Sequence, residues 1–192
     1  MNTSYNFYYW GPLLFKIKIQ PTELKKCADL CSKKSSLVSD TLAGAIKHEH
    51  YVSSNAFVKI IDPYLSVFGQ AYRNWYGKTV TQASILISWV NFMRAGEFNP
   101  PHMHPNCDLS SVLFVKIPEA LKEEHKKFTG TGGGPGSLSF NHGEQQPHAI
   151  SNRFFFPEEG DLFIFPGTLT HFVTPFMSEG ERISMSANFN LQ

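Results

Sequence analysis

Two histidines one residue apart, in Pro101-His102-Met103-His104-Pro105, have the types and spacing that metal chemistry asks for. On an extended segment the side chains at i and i+2 point the same way, so both imidazoles can reach one ion. His171 is the third candidate. It begins the strand expected after the turn at Pro166-Gly167 and arrives opposite the pair if the sheet folds back on itself. Farther on, Arg182-Ile183-Ser184-Met185-Ser186 alternates, with Arg182, Ser184 and Ser186 on one face and Ile183 and Met185 on the other. A guanidinium turned into a barrel needs an anion, and its fork of donors matches a carboxylate. A metal beside such a clamp suits a 2-oxo acid, whose keto acid end chelates the ion while its distal carboxylate meets Arg182 and Ser184. Trp89 and Asn91 share a face of the preceding strand and can line the same pocket.

These side chains need a scaffold, and 192 residues suffice for a single domain, 1–192, with a sizeable core. With 42% hydrophobic and 17% charged residues and a net charge of +1, the composition excludes disorder and offers no electrostatic footprint for nucleic acid or an anionic membrane. Aromatic residues at 14% suit a β-rich core around a cavity better than a helical bundle. Three cysteines, Cys27, Cys31 and Cys107, are too few and odd in number for a disulfide framework, so a reducing, cytoplasmic setting is expected. No basic-then-apolar leader and no long apolar run is present, so neither secretion nor membrane insertion is expected.

The elements that must position the site follow from periodicity. Residues 1–77 read as a helical flank with one short strand, Phe15–Ile19, whose apolar and polar residues alternate. One helix spans Thr22–Lys34 with Cys27 and Cys31 on its buried stripe, and a second runs from about Pro63 to a cap at Gly77. Residues 79–192 read as strands alone: Thr79–Met93, Ser111–Ile117, Ser137–Asn141, Phe154–Phe156, Asp161–Phe165, His171–Pro175 and Arg182–Asn190. Many short strands must cover their edges, so a closed or double sheet is expected. The Gly130–Gly136 stretch lacks the Lys-Ser/Thr of a phosphate loop and reads as a flexible loop beside the site. His142 and His148 fall in loops that can cover the mouth of the cavity.

The ordered set Ser88-Trp-Val-Asn91, Gly96, Pro101-His-Met-His-Pro105, Ser111-Val-Leu-Phe-Val, Gly160-Asp-Leu-Phe-Ile-Phe-Pro166, His171 and Arg182-Ile-Ser-Met-Ser186 resembles the 2-oxoglutarate/Fe(II) oxygenases of marine bacteria, cyanobacteria and cyanophages. The resemblance covers the C-terminal half of the chain. It implies a mainly β fold, a double-stranded β-helix (jelly roll) core carrying the N-terminal helices. It also implies Fe(II) held by His-x-Asp/Glu and a distal His, with 2-oxoglutarate bound by Arg-x-Ser. On this chain His102 would be the first ligand, His171 the distal one, and Arg182 with Ser184 the clamp, with Asn91 beside the cosubstrate. At the second ligand His104 stands where the pattern has a carboxylate. Either three histidines bind iron, or Asp108 swings in from the loop; His104 is preferred because it needs no rearrangement.

The activity so implied is oxidative decarboxylation of 2-oxoglutarate to succinate by molecular oxygen, coupled to hydroxylation of an unidentified small-molecule or peptide substrate, in the host cytoplasm if phage-encoded. The alternative is a cupin-type metal protein, an isomerase or a three-histidine dioxygenase without 2-oxoglutarate, and Arg182 discriminates between them. The oligomeric state is left open.

Overall fold

The computed structural model describes residues 11–33, 35–38 and 42–192. In chain order the elements are β1 (Phe15–Lys18), α1 (Pro21–Ser32), β2 (Glu49–Tyr51), α2 (Ser54–Tyr76), β3 (Ala83–Met93), β4 (Asn99–His102) and β5 (Leu109–Lys116). There follow α3 (Glu119–Lys126), β6 (Leu138–Asn141), β7 (Asn152–Phe155), β8 (Asp161–Pro166), β9 (Thr170–Val173) and β10 (Arg182–Leu191). A six-stranded sheet, β1-β8-β5-β10-β3-β2, faces a four-stranded one, β4-β9-β6-β7, and the strand pairs are antiparallel. This is the double-stranded β-helix expected from the sequence.

The larger sheet is buried on both faces, and the parity of its strands decides which side chain goes where. On β8, Leu162 and Ile164 pack toward α1 and α2, whereas Phe163 and Phe165 join the core between the sheets with Phe114, Phe140 and Phe176. On β10, Met185, Ala187 and Phe189 take the helix side. The other parity, Arg182, Ser184 and Ser186, is therefore turned inward although all three are polar.

Three elements differ from expectation. Helix α2 starts at Ser54 rather than near Pro63, with the Ser53 hydroxyl accepting from the Ala56 N–H as an N-cap. Its buried stripe, Phe57, Ile61, Tyr64 and Phe68, runs straight past Pro63, so packing outweighs the one backbone bond the proline lacks. The expected end holds: Gly77 sits at φ 67, a left-handed cap that glycine adopts without a Cβ penalty. Helix α3 interrupts the second half that sequence reads as strands alone; it buries only Leu121, too little for an apolar period to show. Strand β2 is three residues long and leaves no alternation to find.

The turn from β8 to β9 is pressed against the segment after β4. The Gly167 carbonyl accepts from the His104 N–H at 2.7 Å, and the Gly167 N–H donates to the Asp108 carbonyl at 2.9 Å. A Cβ at Gly167 would stand 2.6 Å from the Cys107 carbonyl oxygen and 2.7 Å from that of His104. Gly167→Ala is expected to lower stability by about 1–3 kcal/mol through overpacking, read as a reduced denaturation midpoint; an unchanged midpoint would show that the turn has room to spare.

Candidate active site

Pairing of β4 with β9 sets His102 directly opposite His171, and His104 follows two residues after His102. The ring centroids lie 4.3 Å (His102–His171), 5.1 Å (His102–His104) and 5.2 Å (His104–His171) apart. One nitrogen from each ring falls within 4.8 Å of the others, close enough to share an ion. His102 Nδ1 donates to the Pro100 carbonyl at 2.7 Å and His171 Nδ1 to that of Leu169 at 2.9 Å. A carbonyl can only accept, so each Nδ1 carries the proton and each Nε2 keeps its lone pair. Burial, then the neighbouring His102, depresses His171 to about 3 and His104 to about 4; burial lowers His102 too, against the pull of the Pro100 bond. All three rings are thus neutral at pH 7, the state a metal binds.

Across the cavity, Arg182 is 1% exposed. Its guanidinium lies over the Phe114 ring at 5.3 Å, and Nη1 donates to the Gly136 carbonyl at 3.0 Å. Nε is buried with no hydrogen-bond partner among the described residues. Burial lowers this group to about 10, so it stays charged at neutral pH. Beside it, Asn91 Nδ2 donates to Ser184 Oγ and Ser186 Oγ at 3.4 Å each. One cavity of about 40 Å³ is lined by the three histidines, Arg182, Ser184, Ser186, Asn91 and Trp89.

A family model described as "Putative 2OG-Fe(II) oxygenase" matches residues 87–188, just over half of the chain. The chain belongs to this family of 2OG-Fe(II) oxygenases. No curated protein sequence matches it. Among solved structures, a prolyl-4-hydroxylase from Pseudomonas putida is similar at 15% identity and TM-score 0.58, over 93% of this chain and 92% of that one. The viral collagen prolyl hydroxylase from Paramecium Bursaria Chlorella virus-1, a 2OG complex, is similar at 14% identity and TM-score 0.58, over 92% and 94%. HygX from Streptomyces hygroscopicus, with nickel, 2-oxoglutarate and hygromycin B bound, gives 11% and 0.59 over 92% and 82%. These likenesses show a shared fold. Family membership makes the protein an oxidoreductase that uses Fe(II), 2-oxoglutarate and oxygen, and it decides against the cupin-type alternative.

The residues present fit both groups of this oxygenase. Three neutral imidazoles within ligand distance suit a divalent ion, and a buried cation with an unused N–H calls for an anion. Asp108 lies elsewhere: its Oδ2 accepts from the Leu191 N–H at 2.7 Å, and it lines a different pocket, with Tyr72 and Pro166. His142 lines a groove with Trp75 and Arg153, and His148 is exposed at φ 66, so neither reaches the cavity.

The Gly130–Gly136 stretch does stand beside the site, but its last turn is tethered. Thr174 Oγ1 donates to the Gly134 carbonyl and accepts from the Ser137 N–H, while the Thr174 carbonyl accepts from the Gly136 N–H. Gly136 sits at φ 73, and a Cβ there would press to 2.9 Å of Leu121. Sequence reasoning missed Glu49, 1% exposed on β2, which also lines the cavity. Burial, then Glu97, pushes its carboxyl up to about 7. A three-residue strand carries no signal that would have found it.

Proposed function

We propose that His102, His104 and His171 hold the ferrous ion, that Arg182, Ser184 and Asn91 hold the distal carboxylate of 2-oxoglutarate, and that the enzyme hydroxylates a small molecule or peptide. The observation that carries this reading is the meeting, in one cavity, of a three-imidazole cluster with a buried guanidinium whose Nε has no partner among the described residues. The prolyl hydroxylases among the similar structures support hydroxylation as the outcome. When bound, iron and 2-oxoglutarate supply the oxidation: one atom of dioxygen enters 2-oxoglutarate, which loses carbon dioxide to become succinate, and the other enters a substrate C–H bond.

The chain's own part is to bind and orient. The carbonyls of Pro100 and Leu169 fix two rings so that Nε2 faces the ion. Arg182 grips the carboxylate at the opposite end of the cosubstrate, which turns its keto acid end toward the imidazoles. Phe114 beneath the guanidinium and Phe165 against His171, at 4.7 Å between ring centroids, keep water from those groups. The cysteines Cys27, Cys31 and Cys107 are free and buried, which fits a cytoplasmic enzyme, and no described helix is long and apolar enough to cross a membrane.

His104→Ala is expected to weaken Fe(II) binding by about tenfold or more, while Asp108→Ala leaves it unchanged; anaerobic titration calorimetry reads both, and the reverse ranking would return a carboxylate to the ligand set. Arg182→Ala should keep iron and lose 2-oxoglutarate. Truncating one partner of a buried charge pair costs about 2–5 kcal/mol, or about thirtyfold to several-thousandfold in affinity. The measurement is the visible charge-transfer band of the anaerobic Fe(II) and 2-oxoglutarate complex. Ser184→Ala should lose about 1 kcal/mol in the same assay. An unmutated protein that takes up iron and never develops the band would overturn the assignment.

A further inference from the structure

The side chain of Arg182 meets one protein acceptor among the described residues, the Gly136 carbonyl at 3.0 Å. The direction of the guanidinium therefore depends on what holds that carbonyl. Residues Gly134-Pro135-Gly136-Ser137 form a tight turn, closed by the Ser137 N–H donating to the Gly134 carbonyl at 3.1 Å. Proline at the second position and a glycine at φ 73 at the third are the pattern of a type II turn. A type I turn of the same four residues differs by inversion of the central peptide, Pro135–Gly136, so the orientation of that peptide selects between the two.

Both ends of this peptide are held, and by different elements. Its N–H, on Gly136, donates to the carbonyl of Thr174, just past β9, at 3.2 Å. Its carbonyl, on Pro135, lies 3.1 Å from Nδ1 of His125 in α3, and since a carbonyl only accepts, the imidazole donates. The ring is fixed in turn by stacking on Phe156, at 4.0 Å between centroids and 24° between planes. A Cβ at Gly134 would stand 2.9 Å from His125 Nδ1 and Cε1, so the turn passes flush against the ring. Leu121, four residues before His125 and on the same face of α3, supports Gly136, where a Cβ would stand 2.9 Å from it. Glu124 reaches the other side: its carboxylate accepts from the N–H groups of Met177 at 2.9 Å and Ser178 at 2.8 Å, in the connection that leads to Arg182. Helix α3 thus touches both chain segments that meet at the guanidinium.

We infer that His125 is a positioning residue for 2-oxoglutarate. It lies outside the cavity, in a surface pocket with Lys122 and Phe156, and acts through the turn. Its N–H holds the Pro135 carbonyl, keeps the turn in its type II form, and so keeps the Gly136 carbonyl where it orients Arg182. Proline has no N–H, so this carbonyl is the one backbone group by which Pro135 can be held. Without the imidazole donor, one of the two tethers on the central peptide is gone. Inversion of that peptide takes Gly136 away from φ 73 and slackens the acceptor that aims the clamp. The inference rests on the assignment of the distal carboxylate to Arg182 given above.

The test loads the full-length enzyme anaerobically with Fe(II) and titrates 2-oxoglutarate by its charge-transfer band, with Fe(II) affinity read separately by calorimetry. Two variants separate the donor from the packing. His125→Phe keeps a ring on Phe156 and gives up the donor, whereas His125→Asn places an amide N–H where Nδ1 stood and gives up the ring. His125→Phe is expected to weaken 2-oxoglutarate binding about two- to tenfold, the range for one neutral hydrogen bond, with Fe(II) affinity unchanged. His125→Asn should restore the affinity of the unmutated enzyme. The reverse ranking overturns the inference by assigning the effect to packing, and so does an affinity that is equal in all three proteins or equally lost in both variants. Loss of iron affinity in His125→Phe also overturns it, because the clamp alone should feel the change. Should His125→Phe not fold, His125→Leu replaces it, with the same expected loss. An unmutated protein that never develops the band, or an Arg182→Ala variant that binds 2-oxoglutarate undiminished, removes the underlying assignment instead, and the two failures are distinct in the data.

Discussion

Three imidazoles converge only if two four-residue strands, β4 and β9, pair in one register, with His102 across from His171. A slip of one residue would send the two rings to opposite faces. Yet β4 is poorly equipped to hold its own place. It carries Pro100 and Pro101, which donate no backbone hydrogen bond, lies at the edge of its sheet, and shows an irregular step between Asn99 and His102. The register is fixed from outside the ladder. The Gly167 turn, which leads into β9, takes the His104 N–H and ties the segment after β4 to it. The tautomers are fixed separately and locally, by the carbonyls of Pro100 and Leu169, each two residues before its own histidine, so the pairing has only to bring together rings that are already oriented.

The second constraint is the buried guanidinium. Desolvating Arg182 costs several kcal/mol, and one carbonyl and one aromatic face offset only part of it. Part of its hydrogen-bonding capacity is left for a ligand. The glycine-rich stretch makes this arrangement firm rather than loose. Thr174 ties its last turn to β9, the strand of His171, and the carbonyl of Gly136 meets the guanidinium from that tethered position. A displacement of β9 would therefore move a proposed metal ligand and the carbonyl that orients Arg182 together.

What was legible in the sequence were the features carried by one strand at a time. His-x-His and Arg-x-Ser each sit on a single extended segment, where period-two geometry is local and dependable. The helix-facing parity of β10 could be read for the same reason. Asp108 was close in sequence but not in space: the chain turns at Cys107 and its carboxylate goes to the Leu191 N–H, a partner 83 residues away. Glu49 was invisible because its place depends on a long-range register with Asn91, carried by three residues. Pro63 misled in the opposite way, since a local rule for helix starts gave way to a stripe of side chains packed on the sheet.

Among the described residues that line the cavity there are one guanidinium, Arg182, and one carboxyl, Glu49, and the strand order keeps them apart. Arg182 lies opposite Met93 on β3, whereas Glu49 lies opposite Asn91, on the far side of β3 from β10. Only burial perturbs Arg182, and its recorded hydrogen bond is to Gly136, so no ion pair with Glu49 quenches its charge among the described residues. An Arg–Glu pair would have to be broken before a dianion could enter. Kept apart from that carboxyl, the guanidinium holds its charge for a carboxylate at its own wall of the cavity. Asn91 stands between them on β3, its amide N–H groups toward the serines of the clamp and its oxygen left over as an acceptor. The side chain between the two groups therefore donates on the side of Ser184 and Ser186 and keeps an oxygen as acceptor on its own.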